Sequence, residues 1–191
     1  MRDLETDRLR IRALRPDDLD AWAALVTDCF GGPPDPVSYR DQLAFNALAD
    51  PVHDALHQPP YGDRAVVLKE SRAVVGAVGF VHCLAPFAQL PSEGAVANAR
   101  STPEVGLFWA MASAYRGRGL ITEAAGAMIR FAFDELRVRR IVATTDFDNA
   151  ASIAVMRRLG MTIERNPYPT PPWFQVVGIL AARTGTTPEK K

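Results

Sequence analysis

The chain has 191 residues, 48% hydrophobic and 23% charged, a globular composition that excludes general disorder and suits a single domain. Its 22 basic and 22 acidic side chains cancel, so net charge alone specifies no polyanion-binding surface. The cancellation is uneven: residues 1–95 carry nine Lys/Arg against fourteen Asp/Glu, residues 96–191 thirteen against eight, which points an anionic ligand to the C-terminal half.

In chain order, Leu9 and Ile11 alternate with arginines and predict a short half-buried strand. Pro16 opens a helix with Asp17, Asp18 and Asp20 at its positive end, and Gly31-Gly32-Pro33-Pro34 ends it. Residues 38–49 predict a second helix, and His53–Tyr61 a Pro-rich loop. Arg64–Lys69 and Arg72–His82 read as a hairpin, residues 83–102 as a long irregular connection, and Glu104–Met111 as a strand. The period becomes helical from Arg118 to Leu136, followed by a strand over Arg139–Thr145. A helix follows over Ala150–Leu159, closed by Gly160, and the last strand spans Trp173–Ala182. The order β-α-α-β-β-β-α-β-α-β-β predicts a mixed α/β sheet. One domain is expected over residues 1–183, with a disordered tail at 184–191.

Cys29 and Cys83 are far apart with no C-x-x-C spacing, so neither a disulfide framework nor a zinc site is signalled. The charged start, MRDLETDRLRIR, is unlike a signal peptide, and the apolar run Ala73–Ala88, broken by two glycines, His82 and Pro86, falls short of a membrane span. The expectation is a cytoplasmic protein without membrane or metal. Nor is a nucleic-acid module legible, because the basic residues are scattered without interleaved aromatics.

Two constellations carry chemistry. In YRGRGLITEA (115–124), Gly117 and Gly119 let the backbone approach a ligand, and the N–H groups that follow open a helix without intrahelical partners. Arg116, Arg118 and the Thr122 hydroxyl complete a phosphate-binding loop. Its spacing matches neither a Walker loop nor G-x-G-x-x-G, and a tight turn with solvated arginines is the plainer alternative. In DFDNAASIAVMRRLGM (146–161), Asn149 and Ser152 share a face at the start of a helix, where both could reach a ligand or simply cap the helix.

With ETDRLRIRALRPDDLDAW at its start, VVGAVGF in its middle, EVGLFWAMASAYRGRGLITEA and DFDNAASIAVMRRLGM, the chain resembles the GNAT superfamily of acetyl-CoA-dependent N-acyltransferases. Within it, the chain is most similar to the branch of ribosomal-protein N-terminal alanine acetyltransferases. The resemblance implies a mixed sheet of about seven strands, splayed between the fourth and fifth, with helices on both faces and CoA in the gap. It implies that Phe108, Trp109, Ala110 and Met111 line the pantetheine arm and that Asn149 contacts it. Arg116, Gly117, Arg118, Gly119, Leu120 and Thr122 would hold the pyrophosphate. Two departures stand out: Ala114 replaces the usual Gln or Arg before the first glycine, and Met156 occupies the place of a general-acid Tyr, so Ser152 is the expected substitute.

Attack on a thioester needs a neutral amine, and Glu104, matching the acidic residue of the family's E-x-G pattern, is the expected base. With no cysteine expected in the reactive region, direct transfer in a ternary complex is favoured over a covalent acetyl-enzyme. The acceptor would be a protein N-terminus or a small-molecule amine; Trp173 and Phe174 read as core or dimer-contact aromatics, which is compatible with a homodimer. A non-catalytic acyl-CoA-binding module is the rival reading. His82 reads as a core-edge residue. The acidic stretch 31–61, with Asp35, Asp41, Asp50 and Asp54, favours a cationic acceptor.

Overall fold

The computed structural model describes residues 1–31 and 36–182, with the backbone alone at 36 and 37. Leu9 and Ile11 are fully buried in β2 (Leu9–Ala13), which pairs with a two-residue β1 (Leu4–Glu5). Arg12 breaks the expected alternation: it is buried, and both its terminal nitrogens donate to Asp18 at 2.7 Å. A 3-10 turn at Pro16–Asp18 leads into α1 (Leu19–Phe30), which buries Trp22 and Leu25.

The second helix is longer than expected. α2 (Pro36–Ala55) runs through Pro51 and takes in His53, previously assigned to a loop. Proline fits helical φ, and the carbonyl freed four residues earlier belongs to exposed Ala47, where water can reach it.

β3 (Gly62–Leu68), β4 (Val74–Ala85) and β5 (Thr102–Met111) continue the antiparallel sheet. β4 thus extends beyond His82, which is exposed rather than core-edge and stacks on Tyr61 with ring centroids 3.6 Å apart. Two 3-10 turns shorten the expected irregular connection, and buried Gln89 ties it down by donating to the carbonyls of Ala97 and Thr170 and accepting from Asn166.

α3 (Leu120–Asp134), β6 (Arg140–Thr145), α4 (Ala150–Arg158), β7 (Thr162–Arg165) and β8 (Val176–Ala181) complete the chain. The eight strands are ordered β1-β2-β3-β4-β5-β6-β8-β7, and only β5 and β6 are parallel. That pair meets at Val105–Ile141 and Gly106–Val142 and nowhere further along, so the sheet splays as expected, between its fourth and fifth strands when the short β1 is set aside. α3 packs on one face, its Met128 in one cluster with Leu9, Val66 and Phe80; α1 and α2 cover the other, with Trp22 and Leu43 clustered with Ala65. Residues 32–34 of the expected helix stop and the tail from 184 lie outside the described residues.

Candidate functional site

The loop that leaves β5 reaches α3 through Gly117 and Gly119, both left-handed at φ +73° and +74°, where side chains other than glycine are strained. None of the N–H groups of residues 117–122 donates to a partner among the described residues; the helical ladder begins with Glu123, bonded to the Gly119 carbonyl at 3.0 Å. Consecutive free donors at the positive end of a 15-residue helix form an anion site. A Cβ at Gly117 would meet nothing within 4 Å, so the backbone there is open to approach.

The loop is held from β2. Arg8 donates to the Arg118 carbonyl at 3.0 Å, and the Glu123 carboxylate accepts from Thr6 Oγ1 (2.5 Å), Arg8 N (3.0 Å) and Arg8 Nε (2.7 Å). Burial disfavours the charge on Glu123, but the bonds from Thr6 and Arg8 outweigh it and hold the carboxyl below its ordinary range. Arg116 is fastened by its Nε to the Met111 carbonyl at 2.8 Å, with Asp28 3.9 Å from its Nη2.

Where β5 and β6 diverge, a cleft of about 460 Å³ opens onto this loop. It brings together Trp109, Ala110, Met111, Arg116, Gly117, Gly119, Leu120, Thr122, Asn149 and Ser152 from three separate stretches of chain. Arg118 is exposed beside it, its guanidinium 5.7 Å from the Tyr115 ring. Phe108 faces the opposite side and stacks on Phe30, but edges a narrower recess of about 210 Å³ that shares Trp109, Asn149 and Ser152 with the cleft. Asn149 is the N-cap of α4: its Oδ1 accepts the Ser152 N–H at 3.0 Å, leaving its amide N–H₂ free to donate.

Glu104, expected to face the reacting amine, does not line the cleft. It borders a separate pocket with Tyr61 and His82, and its Oε1 accepts from Arg140 at 2.8 and 2.6 Å.

The expectation of a cysteine-free region also changes. Cys29 lines the cleft and Cys83 the recess. Burial, helped by the negative charge of Glu104, pushes the Cys83 thiol to about 11, which leaves little thiolate near neutrality. Sequence reasoning missed Cys29 and Phe30, brought in by α1, and Arg158, whose only signal was a pair of arginines at the end of a helix.

A second, wider cleft of about 1020 Å³ lies between α1, α2 and strands β3–β5. It shares Phe30, Val81 and Phe108 with the recess, so the two adjoin at these residues. Asp41 and Asp63 line it; Asp50 is instead paired with Arg64 and the N-terminal amine.

No helix among the described residues is long and apolar enough to cross a membrane. Residues 8–162 match the Acetyltransferase (GNAT) domain family. Over 63 residues the chain is 36% identical to the uncharacterized N-acetyltransferase YnaD of Bacillus subtilis, a match spanning 33% of this chain and 36% of that relative. An acetyltransferase structure from Agrobacterium tumefaciens superposes with a TM-score of 0.66 at 25% identity, covering 94% of each chain. RimL, a ribosomal L7/L12 alpha-N-protein acetyltransferase solved with coenzyme A, superposes with a TM-score of 0.65 at 16% identity, over 95% of this chain and 98% of that one.

Proposed function

The chain belongs to the GNAT acetyltransferase family, and on that premise we propose that it transfers an acetyl group from acetyl-CoA to a primary amine by direct attack in a ternary complex. The observation that carries this reading is the run of unpartnered N–H groups at 117–122 opening onto the cleft between β5 and β6. The free edge of β5 from Leu107 to Met111 offers backbone groups to an extended amide arm, in the manner of an added strand. Arg116, Gly117, Arg118, Gly119, Leu120 and Thr122 would hold the phosphates, and Trp109, Ala110, Met111 and Asn149 the arm.

Acetyl-CoA supplies a thioester carbonyl for the amine to attack. The Ser152 hydroxyl, in the recess where that carbonyl would lie, can donate to the departing sulfur. A thiol of ordinary acidity leaves readily, so this donation helps without being obligatory. The high thiol pKa of Cys83 speaks against an acetyl-cysteine intermediate. The acceptor class is an amine, either a protein α-amine, as the name of RimL says of that enzyme, or a small molecule. We assign the chain to the cytoplasm, where acyl-CoA chemistry meets reduced cysteines.

Calorimetry with CoA, followed by thiol release over an amine panel, tests the proposal. Gly119→Val is expected to weaken CoA at least tenfold, through left-handed strain and a branched side chain at the phosphates; Arg137→Ala, exposed beyond α3, is expected to change nothing. Equal CoA affinity in wild type and Gly119→Val overturns the phosphate site. CoA binding without thiol release from any amine would leave only a binding module.

A further inference from the structure

The wide cleft over β3–β5 has an uneven chemistry. Trp22, Phe30, Phe45 and Phe108 give it aromatic walls, its carboxylates are Asp41 and Asp63, and no Lys or Arg among the described residues lines it. Asp63 is the better placed of the two. In the sheet register Asp63 stands opposite Gly79, and Gly79 opposite Phe108, so all three share one face. Two strand spacings, about 10 Å, separate Asp63 from Phe108. Between them Gly79 carries no side chain, and the Gly62 carbonyl oxygen packs over it, 2.2 Å from where a Cβ would lie. Asp63 and Phe108 therefore both line the cleft from one face of the sheet, with backbone between them. Asn46 of α2 fixes the backbone at Asp63 by accepting its N–H at 3.0 Å.

Resting on the transferase reading above, we infer that this cleft takes a cationic primary amine with an aromatic body, and that Asp63, lining the cleft, receives the amine's proton through water. Burial raises Asp63 to about 6, with no donor or cation among its causes to offset it. A carboxyl near that value is ionised at neutrality yet basic enough to accept a proton. The other ionisable groups lining the space are Asp41 and His53 from α2, Tyr61 before β3, and His82 from β4, while the Asp50–Arg64 pair closes a pocket behind.

The step balances with an acyl-CoA thioester as co-substrate. The ammonium loses a proton through water to the Asp63 carboxylate. The freed lone pair forms the C–N bond as the C–S bond breaks, and the second proton of the amine nitrogen passes by way of Ser152 or water to the departing thiolate. The product is a neutral amide, which the acidic cleft no longer attracts.

Phenethylamine, phenylalanine amide, glycine amide and taurine, assayed by thiol release, separate a free arylalkyl amine from an aromatic N-terminus, a small N-terminus and an anionic amine. Phenethylamine or phenylalanine amide is expected to lead, the winner identifying the source. Asp63→Asn is expected to lower kcat/KM about 10²-fold at pH 7 with partial recovery toward pH 9, while Asp63→Glu restores part of the rate. Calorimetry in the presence of CoA is expected to show weaker phenethylamine binding to Asp63→Asn and unchanged CoA affinity. A wild-type pH profile in Asp63→Asn, or preference for glycine amide or taurine, overturns the inference while leaving the transferase intact. If wild type turns over no amine, the transferase reading itself has failed.

Discussion

Replacing Asp63 with Asn should stabilise the protein above pH 6 even as it slows the reaction. Burial lifts the Asp63 carboxyl from an ordinary 3.8 to about 6, so the folded state holds that proton more tightly than the unfolded chain. The sign follows directly. The contribution to stability is present below the unfolded value and is lost as pH rises through about 6. Two pH units at about 1.4 kcal/mol each set a ceiling near ~3 kcal/mol for the penalty of the charged form. Water in the wide cleft screens part of it, leaving about 1–2 kcal/mol at pH 8. Asn keeps the shape and removes the charge, so its advantage over wild type should be nil below pH 4, grow between pH 4 and 7, and reach about 2–8 °C in Tm at pH 8. Thermal melts of both proteins at pH 4, 6 and 8 read this out, and subtraction removes every other titrating group. A difference that stays flat with pH, or an Asn variant less stable at pH 8, would refute the reasoning. The expected outcome is a stability–activity conflict at a single carboxylate.

Glu104→Gln breaks the pair with Arg140, which also bonds Glu93, so it is expected to cost about 1–2 kcal/mol by urea denaturation and leave the pH dependence of kcat as in wild type. Asp18→Asn strands buried Arg12 without its counter-charge, and a loss of about 3 kcal/mol or more is expected in the same assay. Because Glu123 is held below its ordinary range in the fold, its contribution is present above about 4.5 and lost as pH falls through the depressed value. Glu123→Gln is accordingly expected to weaken CoA binding by loosening the loop from Arg8, and to shrink the stability gap to wild type on acidification.

The sequence alone determined the order of the elements, the mixed sheet and the glycine-rich turn into α3, because each rests on local chemistry, while the splay was implied by the family resemblance. Gly117 and Gly119 carry their left-handed geometry wherever the loop sits, and free N–H groups follow from the start of any helix. The alternation of Leu9 and Ile11 and the helical period of Ala124, Met128 and Ala132 likewise report burial through spacing. Charge partners belong to tertiary structure. Glu104 reads as a free strand-end carboxylate until β6 sets Arg140 against it, and Arg12 reads as solvent-facing until Asp18 folds over it. Asp63 and Phe108 are 45 residues apart in the chain, and only the pairing of β3 with β4 and of β4 with β5 lays them on one face. Cys29 and Cys83 show the same limit: no spacing rule places one at the cleft and the other at the recess, because α1 and β4 reach them from separate stretches of the chain. Backbone conformation is encoded within a few residues, whereas the basicity of a carboxylate depends on which charges and how much water surround it, and those are chosen by contacts between distant parts of the chain.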